Sequence, residues 1–206
     1  DTIDGGSGTN TADYSTSSAG VAVNLTVTSA QTSTGDASGD VLANIQNITG
    51  SAFGDVLTGN TGDNVLDGGA GNDTLSGGTG NNTYVFGRGY GQDLVISDSS
   101  GGSKDDTVSF GSGISTDQIW LSQNGNDLEL SIIGTSDSLT IQNWYSGSAY
   151  EVQQFKTSDS QTLSAASVQS LVAAMAAFGA PPPAGQTSLS PATELALQPV
   201  LAASWH

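Results

Sequence analysis

The sequence predicts an all-β fold: a parallel β-roll over the first half, a cap of short antiparallel strands, and one or two C-terminal helices. Three observations carry this prediction. Glycine and aspartate or asparagine recur with a nine-residue period between Gly50 and Val85. Beyond residue 105 the pattern changes to short alternating apolar runs broken by turn residues. At Ser164 a helix-capping serine opens a stretch rich in alanine and leucine.

Composition narrows the function before any motif does. The chain has 206 residues, 3 Lys+Arg against 20 Asp+Glu, a formal net charge of −17, 28 Gly and no Cys. That length suffices for the core of one or two domains. No apolar run is long enough to span a membrane. Three basic side chains cannot neutralise a phosphate backbone, so nucleic acid and anionic membrane are excluded as direct partners. The single histidine, His206, removes Ser-His-Asp and Cys-His catalysis and multi-histidine zinc sites. Of the acids, 17 are Asp and only Glu129, Glu151 and Glu194 are Glu. Asp favours turns and is a short, hard oxygen ligand. In excess, with little Lys to pair it, Asp points to turns that hold a cation, calcium first.

The elements follow from the repeat. Four nonapeptides run in frame: Gly50–Thr58, Gly59–Asp67, Gly68–Ser76 and Gly77–Val85. Their sixth positions are Asp55, Asn64, Asp73 and Asn82, and their eighth are Leu57, Leu66, Leu75 and Tyr84. Six residues of Gly and Asx make a turn, because Gly takes positive φ freely and Asx tolerates it. The next three make a short strand whose middle side chain points inward. If strands alternate between two sheets, Leu42, Leu57, Leu75 and Val95 share one, and Ile48, Leu66 and Tyr84 share the other. The turns on the first side then hold Asp40, Asp55, Asp73 and Asp93. The second side has the neutral Asn64 and Asn82, with Asp63 and Asp67 adjacent.

The third repeat, Gly68-Gly69-Ala70-Gly71-Asn72-Asp73-Thr74-Leu75-Ser76, resembles the RTX nonapeptide G-G-x-G-x-D-x-U-x at every specified position. The resemblance implies several calcium ions held between stacked turns, by the sixth-position side chains and by glycine carbonyls from Gly68, Gly69, Gly71, Gly78 and Gly80. The charge pattern predicts asymmetric binding, strong between the Asp55, Asp73 and Asp93 turns and weak between Asn64 and Asn82. The plainer reading is that Asx-Gly turns are only turns.

A further copy opens the chain: Asp1-Thr2-Ile3-Asp4 has the Asp-x-U-x form, followed by a glycine-rich turn to Asn10, which adds Asp1 and Asn10 as candidate ligands. This start in mid-repeat reads as a piece of a longer protein. Val21–Val27 alternates as a half-buried strand. The expected organisation is therefore 1–104 as calcium-binding roll (partial repeat 1–13, main repeats 40–96), 105–163 as β-rich cap, and 164–206 as helical region.

In the cap, runs at 106–110, 119–121, 127–133, 138–141 and 150–155 read as strands, with Asn124-Gly125 as a type I′ turn. Leu139–Tyr145 and its surroundings look like the haemolysin-type calcium-binding-related domain that follows RTX repeats, although Asp159-Ser160 replaces the usual Asp-Gly. Trp120, Trp144, Tyr145 and Tyr150 read as cross-strand packing or as an exposed sugar platform. The pairs Asp105/Asp106 and Asp127/Glu129 read as solvated acids or calcium ligands rather than glycosidase carboxylates.

Ser164 caps a helix with Val168, Leu171, Val172, Met175 and Phe178 on one face. Ser190-Pro191 starts a second, expected to break near Pro199. The resemblance gives this C-terminal region the place of a type I secretion signal, and a docked cap or a loose tail is the bland alternative. The implied function is non-enzymatic: a module of a secreted bacterial protein that folds on extracellular calcium during type I secretion. The competing class is a calcium-dependent adhesion or self-assembly domain at a cell surface.

Overall fold

In the computed structural model the described residues are 1–97 and 104–206. They form mostly strands in parallel-rich sheets with two helices, an arrangement compatible with a β-roll. The strands are β1 (Thr2–Asp4), β2 (Thr11–Asp13), β3 (Ala22–Asn24), β4 (Val41–Ala43), β5 (Asn47–Thr49), β6 (Val56–Thr58), β7 (Val65–Asp67), β8 (Thr74–Ser76), β9 (Thr83–Phe86) and β10 (Gln92–Val95). They continue with β11 (Thr107–Phe110), β12 (Ile119–Asn124), β13 (Asp127–Ile132), β14 (Ser138–Ile141), β15 (Gln154–Lys156) and β16 (Thr162–Ser164), before α1 (Ala165–Ala176) and α2 (Pro191–Ser204).

Two seven-stranded sheets have the orders β12-β13-β14-β10-β8-β6-β3 and β16-β15-β11-β9-β7-β5-β2. Alternate repeats stack in parallel, so Leu57 lies on Leu75 and Leu75 on Val95, while Ile48 lies on Leu66 and Leu66 on Tyr84. These inward side chains are all buried, and Leu57, Leu66, Leu75 and Tyr84 have no exposure at all. At about 25 cal/mol per Å² of apolar surface, their burial is the main favourable contribution to stacking.

Leu42 departs from the expected sheet. Its strand β4 pairs with β1 in a separate two-stranded sheet, Ile3 on Leu42. Val23 of β3 takes the place against Leu57. The turn between β4 and β5 is too short to carry the chain one full repeat, which leaves room for β3.

The sheets run unbroken across residues 104/105. β11 pairs parallel with β9, and β14 pairs parallel with β10. Antiparallel pairing, expected throughout the cap, is confined to β12-β13-β14 and β15-β16. In the β12-β13 hairpin Asn124 pairs with Asp127, so the loop is Gly125-Asn126 and only Gly125 has positive φ (63°). The expected type I′ turn, which needs two such residues, does not form. Residues 148–150 form a 3-10 turn rather than the start of a strand.

Trp120 and Trp144 are core residues, and Trp144 packs on Phe155 at 5.8 Å between ring centroids. Helix α1 buries Val168, Leu171, Val172 and Met175, whereas Phe178 lies beyond its end and is exposed. Helix α2 begins at Ser190, whose side chain accepts from Thr193 N–H, and runs through Pro199 to Ser204 without the expected break. Pro199 removes the helix bond to the carbonyl of Leu195, a residue 75% exposed. After α2, Trp205 and His206 pair with β16, Thr162 and His206 exchanging two backbone bonds.

Candidate metal centre

Three Asp carboxylates form a column along the edge of one sheet. Asp55 and Asp73 sit just before their strands and Asp93 at the start of β10, so stacking the strands stacks the side chains. Asp55 N–H donates to Asp73 Oδ1 at 2.8 Å, and Asp73 N–H donates to Asp93 Oδ1 at 2.9 Å. All three residues are buried. By register, the column is bounded by Val21 before Asp55 and by Leu139 after Asp93.

The three carboxylates differ in what remains free. Asp55 accepts from Val21 N–H and Ser51 Oγ at Oδ1 and from Ser51 N–H at Oδ2, so both its oxygens are used. Ser51 stands where a full repeat has its second glycine. Asp73 Oδ2 and Asp93 Oδ2 are buried with no hydrogen-bond partner among the described residues. Leaving such an atom unpaired costs about 1–3 kcal/mol, more for a charge. Loss of water pushes both carboxyls up from 3.8 to about 7, and neighbouring acids add to the rise against a stabilising backbone bond.

The turns around the column expose backbone oxygens at close range. A Cβ on Gly69 would lie 2.6 Å from the Ser51 carbonyl, and one on Gly71 would lie 2.6 Å from that of Phe53. On Gly68 it would strike Asp73 Oδ2 itself. Gly69 and Gly71 also have φ of 81° and 143°, which only glycine adopts without strain. On the other edge, Gly78 and Gly80 face the carbonyls of Asn60 and Gly62 at 2.5 Å in the same way. Among the described residues no three acidic or histidine side chains converge on one point. A cation here therefore takes most of its ligands from carbonyls, with one or two carboxylates. Buried orphan carboxylate oxygens among glycine carbonyls fit a hard cation with six to eight oxygen ligands.

The opposite edge carries a second column, mostly of amides. Asn10 N–H donates to Gln46 Oε1, Asn64 N–H to Asn82 Oδ1, Asn82 N–H to Asp106 Oδ1, and Asp106 N–H to Gln153 Oε1. Asn64 and Asn82 thus share the edge expected of alternate repeats, Asn10 lies on the same edge, and Asp106, expected as a solvated acid or a calcium ligand, is a further member of the column. The signal was available: Asp106-Thr107-Val108-Ser109 has the Asp-x-U-x form. Its turn simply falls outside the nonapeptide spacing.

Two candidates leave the columns. Asp40 accepts from the Asp1 backbone nitrogen at 2.7 Å and from the Tyr14 hydroxyl at 3.0 Å, because β4 pairs with β1 and not with the main stack. The Asp1 side chain is 95% exposed and points away. Asp63 is exposed and accepts from Asn81 N–H at 2.8 Å, part of an outer ladder continued by Asn81 and Asp105. Asp67 is partly buried at the end of β7. Burial raises its carboxyl, opposed by bonds from Gly69 N–H and the Tyr90 hydroxyl.

Stacked glycine turns around buried carboxylates are the arrangement expected of a cation-binding repeat. Comparison with known families locates that repeat in the chain. Residues 49–84 match the family model of the RTX calcium-binding nonapeptide repeat (4 copies), and residues 127–167 match that of the haemolysin-type calcium binding protein related domain. RTX nonapeptide repeats bind calcium ions. No curated protein matches the chain. No helix among the described residues is long and apolar enough to cross a membrane.

Proposed function

We propose that this chain is the calcium-binding, non-enzymatic RTX module of a larger secreted protein, folding as a β-roll when it meets extracellular calcium during type I secretion. The observation that carries the reading is the pair of buried, unpartnered oxygens, Asp73 Oδ2 and Asp93 Oδ2, among glycine carbonyls. Asp73 and Asp93 are the principal carboxylate ligands, with Asp55 held by Ser51 as a structural turn. Calcium supplies the positive charge that lets these carboxylates leave water together.

Without that charge, the column and the net −17 oppose compaction, and the glycine-rich chain stays open enough to thread a secretion channel. With millimolar calcium outside, sites of about 10⁻⁴–10⁻³ M affinity fill and binding free energy becomes folding free energy. Residues 164–206 serve as the export signal. In the folded chain α2 packs on α1 and Trp205 is buried, so the segment is fully accessible only before folding. Circular dichroism across a calcium titration, with a chelator control, tests the proposal: strand signal rises with calcium and reverses on chelation. A strand signal independent of calcium sinks it.

A further inference from the structure

Three buried carboxylate oxygens lack a hydrogen-bond partner among the described residues: Asp73 Oδ2, Asp93 Oδ2 and Asp106 Oδ2. They are the same atom at the same place in the repeat. In each, Oδ1 accepts from the N–H of the preceding member of its column and Oδ2 is left over. Among the described residues, a protein cation stands against that atom at Asp106 alone. Lys104 Nζ lies 3.3 Å from Asp106 Oδ2, with side chains 8% and 0% exposed. The ammonium also donates to Ser97 Oγ.

Burying an ammonium is costly unless it is paired, and this chain has only three basic residues to place. The local charge accounts for the choice. Asp106 has the neutral Asn82 before it and the neutral Gln153 after it, so the column places a single carboxylate beside the Lys104 ammonium. Asp73 and Asp93 are consecutive in their column, and two adjacent carboxylates call for a divalent ion.

We propose that the Lys104 ammonium occupies the cation position at Asp106, so that the second column holds a tethered cation at this step and takes no calcium there. A latent calcium position is thereby closed at the junction between the repeats and the cap, and the Asp106 step assembles without calcium. This rests on reading Asp73 Oδ2 and Asp93 Oδ2 as calcium-facing atoms.

Calcium bound per chain, counted by equilibrium dialysis on the full chain at saturating calcium, tests it. Lys104→Met keeps the length of the stem and removes the charge. It should bind one ion more than the unaltered chain, and the double variant Lys104→Met/Asp106→Asn should return to the original number. An unaltered chain that binds no calcium overturns the proposed function itself. An unaltered chain that binds calcium, with a folded Lys104→Met variant binding the same number, overturns this inference alone. If Lys104→Met does not fold in calcium, the double variant decides. Folding with the original ion number supports the charge-balancing role, and failure to fold shows that Lys104 acts by packing and overturns it.

Discussion

The backbone N–H of Asp73 donates to Oδ1 of Asp93 at 2.9 Å across a separation of 20 residues, and this bond divides the work of the carboxylate. One oxygen holds the next turn in register. The other, Asp93 Oδ2, is buried and has no hydrogen-bond partner among the described residues. Asp73 is divided in the same way, whereas Asp55 is not, because Ser51 takes its second oxygen.

That difference predicts unequal mutants. Asp73→Asn and Asp93→Asn each keep an oxygen for the ladder and lose a charged ligand, so calcium affinity falls by roughly tenfold or more, about 1.4 kcal/mol or greater. Asp55→Asn should change it by less than either. Calorimetric titration of the three variants checks the order, and an Asp55 effect as large as that of Asp73 would contradict it.

The pH dependence follows from the same atoms. Without calcium the folded-state carboxyls of Asp73 and Asp93 lie at about 7, above the ordinary 3.8. A raised folded pKa contributes stability that is complete below the unfolded value and is lost as pH rises through the folded one. The calcium-free chain should therefore lose thermal stability between about pH 4 and 7. Calcium affinity should rise over the upper part of that range, since binding displaces the protons. Strand signal in excess chelator should fall across this range, while the melting temperature in excess calcium should rise.

Two glycines of one turn separate conformational strain from collision. Gly89 and Gly91 have φ of 80° and 89°. A Cβ on Gly89 meets nothing, while one on Gly91 strikes the Gly71 carbonyl in the turn stacked against it. Gly89→Ala should cost about 1–2 kcal/mol from left-handed strain alone. Gly91→Ala should cost more and also weaken calcium binding, because it parts the turns. Urea denaturation in calcium measures the first effect and titration the second.

Trp205 fastens the C-terminal helices to the sheet: it is 5% exposed and bridges to Leu163 of β16. Trp205→Ala should destabilise this end by about 3–5 kcal/mol. Limited proteolysis should then cut the linker at 179–190 faster, while calcium affinity stays unchanged. A parallel loss of calcium binding would show that the helices and the repeat fold as one unit.

Much of this arrangement is legible in residues 50–85. A nine-residue period with glycine at fixed places and Leu57, Leu66, Leu75 and Tyr84 at the eighth position sets turn, strand and inward side chain locally, so stacking follows wherever the period holds. The alternation of Asp55 and Asp73 on one edge with Asn64 and Asn82 on the other is legible for the same reason, while Asp93 follows a longer loop.

Where spacing is irregular, the chain alone does not decide which strand lies on which. Tertiary pairing moved Leu42 and Asp40 out of the stack by placing Val23 on Leu57, and it brought Asp106 into the amide column. It also distinguished Asp55 from Asp73, since a carboxylate's free oxygen depends on the donors around it. The sequence by itself determined the repeat, the alternation of its side chains and their calcium chemistry, because those depend on neighbours within nine residues. Only the tertiary structure decided which carboxylate oxygens stay open and that Lys104 stands against one of them. Those outcomes depend on donors and cations brought together from separate turns.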